Sequence, residues 1–356
     1  MTSVFNRRLS GCALALLLST VCQASPVDSA REFFSDEGLL VTPSDYPIHE
    51  TARQMLRVQS AAGVNVPLHR RSLTKTEEQS VVRMNRDTYY SVALVDVSGG
   101  ATITVPALPE GKYLSVQPVS EDHRTQPMSY GGGTYQLATH VGTHLFVIIR
   151  LDATFSEEEA AFYQNQIRID AANAELFTAE PVNRDSFVRA ENTLKARLPK
   201  LVARYGAYFG RSMFTSPMDE TRGDFVREIY EVAAAAGWGG AQWQDNIYET
   251  SREMSANQCH QATFEDPQNA AFWSITVYDK RGFMFGDLAH VSSNTAQPNP
   301  DGSYTVSIGC GASAPNNIPA ENPSGVVSVS VRHYQPSDRV RNNGYRLLPY
   351  FKANTP

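Results

Sequence analysis

Two segments far apart in the chain constrain its fold most. Phe272-Trp273-Ser274-Ile275-Thr276-Val277-Tyr278-Asp279 reads as a buried strand, with Trp273, Ile275 and Val277 on one face and Phe272, Ser274, Thr276 and Tyr278 on the other. Far upstream, Asn85-Arg86-Asp87-Thr88-Tyr89-Tyr90-Ser91 leads into a nearly continuous apolar run, Ser91 to Val97. Each segment sets polar groups beside a strand that must be covered. Short strands of this kind suggest a sandwich or barrel rather than a βαβ fold.

The intervening patterns agree. Thr102 to Val105 alternates before Pro106, Tyr113 to Gln117 alternates after the turn residues Glu110-Gly111, and His144 to Leu151 is another β-branched run. Residues from about 50 to 155 read as mostly β, and short strands at this spacing suggest a sandwich or barrel for an N-terminal β lobe over 25–155. The middle, 156–250, reads as helical. Ser156 with Glu157, Glu158 and Glu159 forms a capping box opening a helix that can run to about Phe177. Asp185 or Ser186 can cap a second helix carrying Phe187, Val188, Leu194, Leu198, Leu201 and Val202, with Pro199 marking a kink or break. A third spans about Asp224 to Ala236 and stops at Gly237. From 251 to 356 the pattern returns to β: Asn299-Pro300-Asp301-Gly302 is a turn, and Val327, Val329 and Val331 mark one strand face. Ser328, Ser330, Arg332 and Tyr334 lie on the opposite face and should point the same way. The fold class is therefore mainly β with a helical insertion (α+β).

The first 24 residues read as an export signal: Arg7 and Arg8 precede a short apolar run, Cys12 to Leu18, and Cys22-Gln23-Ala24 offers a cleavage site after Ala24. The run is shorter than the roughly 20 residues that span a bilayer, so no membrane span is expected and the mature protein should be soluble, periplasmic or secreted. Removing Arg7 and Arg8 makes the formal charge of −6 more negative, and no basic run remains, which argues against nucleic acid as a partner. Two of the four cysteines leave with the signal. The remaining pair, Cys259 and Cys310, is expected to form one disulfide in an oxidising compartment; two buried thiols are the alternative.

The chain resembles the bacterial family that pairs domain of unknown function (DUF) 1254, N-terminal, with DUF1214, C-terminal. The resemblance rests on Arg83 to Ser91, Asp96, Val105-Pro106 and Tyr113 to Gln117 in the first part. In the second it rests on Gly237-Trp238-Gly239, Ala271 to Asp279, Asn299 to Val306, Asn317-Ile318-Pro319 and Arg332 to Pro336. The Asn-Ile-Pro motif replaces a more usual Asn-Trp-Leu-Pro type. The resemblance implies two β-sandwich or jelly-roll-like lobes joined by helices, and it brings no settled mechanism.

Function must then be argued from side chains. Asn85, Arg86, Asp87 and Tyr90, with Arg332 and Tyr334 from the far end, could orient a small polar or anionic ligand (carbohydrate, polyol or organic acid) in a cleft between lobes, Arg86 making a bidentate contact. The same groups could instead lock turns, with Asp87 or Asp279 as the ion-pair partner of Arg332. A hydrolase is the other reading, with carboxylates, or Asp122 and His123 in a loop after a strand, as acid and base. Ser72-Leu73-Thr74-Lys75 matches Ser-x-x-Lys without its companion motifs and reads as a loop. His140 and His144 lie on turn and strand, too far apart for one metal, so neither metal nor cofactor is expected.

Overall fold

A computed structural model describes residues 25–79 and 82–353. The export signal lies outside the described residues. The N-terminal lobe is built on an antiparallel sheet in the order Leu68–His69, Thr88–Asp96, His144–Asp152, Leu114–Ser120, Ser129–Tyr130. A second sheet, Gly133–Leu137, Ala101–Val105, Arg168–Ala171, lies against it. Alternation fills the space between them with Tyr89, Ala93, Val95, Val116, Leu145, Val147 and Ile149 against Ala101, Ile103, Val105 and Leu137.

The other face of the first sheet is also covered, which is why His144–Asp152 is buried along its whole length. Helices Tyr46–Ala62, Arg184–Tyr205 and Arg227–Gly237 bring Met55, Leu56, Phe187, Leu194, Ile229 and Val232 against Leu94, Val119, Phe146 and Ile148. The first of these helices falls in a stretch whose pattern reads as mostly β from about residue 50. Its inward face carries Glu50, Thr51 and Gln59, which blur the apolar periodicity. Glu50 is satisfied there by Arg53 and Gln54.

The capping box forms: Ser156 Oγ accepts from the Glu159 amide, and the Glu159 carboxylate accepts from the Ser156 amide. That helix is shorter than expected. It ends at Gln164, because Ile167 and Ile169 turn back into the first lobe's core and Arg168–Ala171 adds a strand to its smaller sheet. The second helix starts two to three residues earlier than expected, capped by Asn183, and continues through Pro199 to Tyr205. Pro199 is on the exposed side, where the carbonyl it frees can be hydrated.

The C-terminal lobe repeats the two-sheet plan. One sheet runs Asn246–Thr250, Val326–Tyr334, Phe272–Tyr278, His290–Ser292; the other runs Asn317–Ile318, Tyr304–Ile308, His260–Phe264, Lys352–Ala353. Trp273, Ile275, Val277, Val327, Val329 and Val331 all point between them, onto Ala262, Phe264, Val306 and Ile308. Cys259 and Cys310 are bonded just past the ladder pair His260–Ile308, one residue from His260 and two from Ile308. The two lobes are thus open sandwiches. The face of the first main sheet that points away from its own core is shared between the helices and the second lobe, and the corresponding face of the second meets the first lobe.

Candidate functional site

A cavity of about 420 Å³ lies where those faces meet. Period-two alternation decides what each wall presents. From the first lobe, Tyr90 and Val92 face it from one strand, and Phe146, Ile148 and Arg150 from the next. From the second lobe, Asn246, Tyr248 and Thr250 line up in register with Tyr334, Arg332 and Ser330. Helix Tyr46–Ala62 contributes Gln54, Arg57 and Val58, and the end of helix Arg227–Gly237 contributes Trp238 and Gly239. Such a junction, mostly apolar with a few convergent polar groups, is where small ligands are usually held.

The charges are one-sided. Arg57, Arg70, Arg83, Arg150 and Arg332 line the cavity, and among the described residues no Asp or Glu does. Arg57 and Arg70 are exposed, whereas Arg150 and Arg332 keep 6% and 4% of their surface. Buried guanidiniums normally pair with carboxylates. Arg150 instead donates to Gln117 Oε1 at 2.6 Å and to the Gly239 carbonyl at 3.3 Å. Arg332 donates to Thr276 Oγ1 at 3.1 Å, and to the Arg83 carbonyl and the Tyr278 hydroxyl at 2.7 Å each. These are neutral acceptors. Each guanidinium has five N–H groups, so both retain donors beyond those bonds.

The expected partners of Arg332 are engaged elsewhere. Asp279 pairs with Arg281. Asp87 Oδ2 accepts from Ser274 Oγ at 2.7 Å and from the Tyr334 hydroxyl at 2.8 Å. His290 Nε2 stands 3.8 Å from the other oxygen, and burial holds that imidazole below its ordinary pKa, against the pull of Asp87. Burial, reinforced by Asp87, raises the Tyr334 phenol well above 10 and keeps it a donor. Asp87 thereby ties the first lobe to the second, behind the cavity wall.

The residues singled out in the sequence therefore separate. Asn85, Tyr90, Arg332 and Tyr334 line the cavity, and the Asn85 side-chain oxygen accepts from the Asp87 amide and the Tyr90 hydroxyl. Asp87 sits behind it. Arg86 points away, into a smaller polar pocket, bonded to Asp287 at 2.6 Å and to the Thr74 carbonyl. Asp122 and His123 are outside the cavity. Asp122 pairs with His140 at 2.8 Å, while His123 accepts from the Gly239 amide at 3.1 Å and stacks on Trp238. Burial pushes the His123 imidazole down to about 4. Its neutral ring fixes the Gly239 turn, whose positive φ of 75° aims the carbonyl at Arg150 and Gln117. Among the described residues no group of three or more His, Cys, Asp or Glu is placed to hold a metal ion, and no helix is long and apolar enough to cross a membrane.

Sequence reasoning missed Arg150, Arg57 and Arg70. Arg150 had a readable signal: a single cation inside the run His144 to Leu151, which is otherwise apolar after its first residue. Arg57 and Arg70 had none, since the elements that carry them were not recognised.

Two family models match the chain in sequence order: a protein of unknown function, DUF1254, over residues 64–151, and a protein of unknown function, DUF1214, over residues 245–338. Each matched region supplies one wall of the cavity. No curated protein matches the chain. A crystal structure of a Vibrio parahaemolyticus protein is similar at 16% identity, covering 88% of this chain and 98% of that one with a TM-score of 0.61. A putative uncharacterized protein from Burkholderia cenocepacia is similar at 12% identity, covering 88% and 86% with a TM-score of 0.50. At such identities the likeness is one of fold alone. With its two lobes matched in that order, the chain belongs to the family that joins a DUF1254 domain, N-terminal, to a DUF1214 domain, C-terminal.

Proposed function

We propose that this protein is exported as a soluble binding protein and holds a small organic anion, with an apolar body, in the cavity between its lobes. The observation that carries the reading is the pair of buried guanidiniums, Arg150 and Arg332, facing a cavity that has no acid in its described lining. Neither guanidinium touches a carboxylate, and a bound carboxylate would use their unengaged N–H groups. Phe146, Ile148, Phe214 and Trp238 supply apolar surface for the rest of the molecule. A polyol or neutral sugar would satisfy the hydroxyls of Tyr90, Tyr248 and Tyr334 and leave the charge untouched. An organic acid is therefore favoured over both.

The hydrolase reading has less support. His123 is neutral, already accepts a backbone amide, and has the Asp122 carboxylate turned toward His140. A thermal-shift screen tests the proposal: carboxylates and sulfonates with apolar bodies should raise the melting temperature, and neutral sugars of similar size should not. The opposite ranking would defeat it. For export, the mature protein recovered from outside the cytoplasm should begin at Ser25.

A further inference from the structure

We infer that the ligand carries two acidic groups separated by an apolar spacer, one held at the buried arginines and the other at the rim by Arg57 and Arg70. This rests on the anion reading and narrows it to a class, dianions of the α,ω-dicarboxylate type.

The placement comes from the register of one sheet. The Arg70 amide donates to the Tyr90 carbonyl, and Tyr90 is the ladder partner of Arg150. Arg70, Tyr90 and Arg150 therefore form a row across three adjacent chain segments, and all three face the cavity. Two steps across a sheet separate the Cα atoms of Arg70 and Arg150 by roughly 10 Å. Arg150 is at the buried end of that row and Arg70 at the exposed end. Helix Tyr46–Ala62 packs over the Leu68–His69 and Thr88–Asp96 strands and sets Arg57 beside the same rim.

Arg57 and Arg70 form no ion pair with a carboxylate among the described residues, although Glu50 on the same helix is taken up by Arg53. Partial burial, with Arg53 and Arg70 nearby, lowers the Arg57 pKa; its like-charged neighbours outweigh the opposing pull of Glu50. Tyr90 stands between the two cationic ends, and Leu68, Val92 and Ile148 form the next row of the same face, with Phe146 in the row beyond. A monoanion would neutralise one end only and leave the rim cations facing each other. A linear dianion places charge at both ends and its methylenes over the Tyr90 ring, alongside the row of Leu68, Val92 and Ile148.

The test is calorimetric titration of the full mature protein with suberate and with octanoate, which have the same chain length and differ by one carboxylate. Suberate should bind at least about tenfold more tightly. The Arg57→Gln, Arg70→Gln double variant, whose changes are on the surface and should leave the melting temperature unaltered, should weaken suberate about tenfold and octanoate much less. Equal affinity for the two acids in the wild type, or equal weakening of both by the double variant, overturns the inference while leaving the anion reading standing. If neither acid binds but another monoanion does, the inference alone fails. If no anion binds, both fail.

Discussion

Two buried polar clusters meet at the lobe junction, and they are built differently. Around Asp87 the bonding crosses the junction: one carboxylate oxygen takes two hydroxyl hydrogen bonds from the other lobe, while the second makes none among the described residues and has a histidine nitrogen 3.8 Å away. Around Arg150 it is open: a full charge rests on a side-chain amide and a carbonyl. A cluster bonded across the junction fixes how the lobes fit together. An open one, turned to a cavity, is chemistry waiting for a partner. The difference explains why a motif that reads as one unit, Asn85 to Tyr90, splits into a lining pair, a lock in Asp87 and an outward Arg86.

If Asp87 is a lock, breaking it should cost most. Asp87→Ala removes the acceptor for Ser274 and Tyr334 and the nearest negative charge acting on Arg332, and it should lower unfolding free energy by about 3–5 kcal/mol. Urea denaturation measures this directly, and an unchanged midpoint would mean that the cluster is not a lock.

A next effect concerns pH. The His123 imidazole titrates near 6.5 in the unfolded chain and about 4 in the folded one, so its contribution is fully present above pH 6.5 and is lost as pH falls toward 4. The loss should be about 2–3 kcal/mol. His123→Asn tolerates the positive φ of 63° at this position and should flatten the stability profile by that amount across the same window. Profiles of equal slope would show that His123 does not hold the Gly239 turn as a neutral acceptor.

Removing the open cluster should cost little. Arg150→Met trades an uncompensated buried cation for an apolar chain of similar length, so stability should stay within about 1–2 kcal/mol of the wild type, or rise. A loss as large as that of Asp87→Ala would erase the contrast. Smallest of all, Tyr334→Phe deletes one bond to Asp87, and keeps the ring stacked on Phe272 at 4.2 Å. It should cost about 1 kcal/mol in the same denaturation assay.

Much of the architecture was legible because strands and capping boxes carry local signals. The faces of Phe272–Tyr278 and Val326–Tyr334 followed from alternation alone, which put Arg332 and Tyr334 on one side. Helix Tyr46–Ala62 was not legible, because buried Glu50, Thr51 and Gln59 interrupt its apolar stripe, and Gln59 is satisfied by the distant backbone of Asp28 and Phe177. Which carboxylate pairs with which cation was equally hidden. Asp279 lies five residues beyond Ser274, the ladder partner of Arg332, and turns to its own loop, while Asp87 comes from the other lobe and turns to hydroxyls. Ion pairing is a tertiary property, and spacing in the sequence does not carry it.

The central claim is that Arg150 is an anion-binding group and not a structural one. It is tested most directly by measuring the stability of wild type and Arg150→Met across a titration of the best carboxylate from the screen. The wild type should gain about 2.7 kcal/mol at one hundred times the dissociation constant, and the variant, folded as stably in its absence, should gain almost nothing. Equal gains in the two proteins would contradict the account.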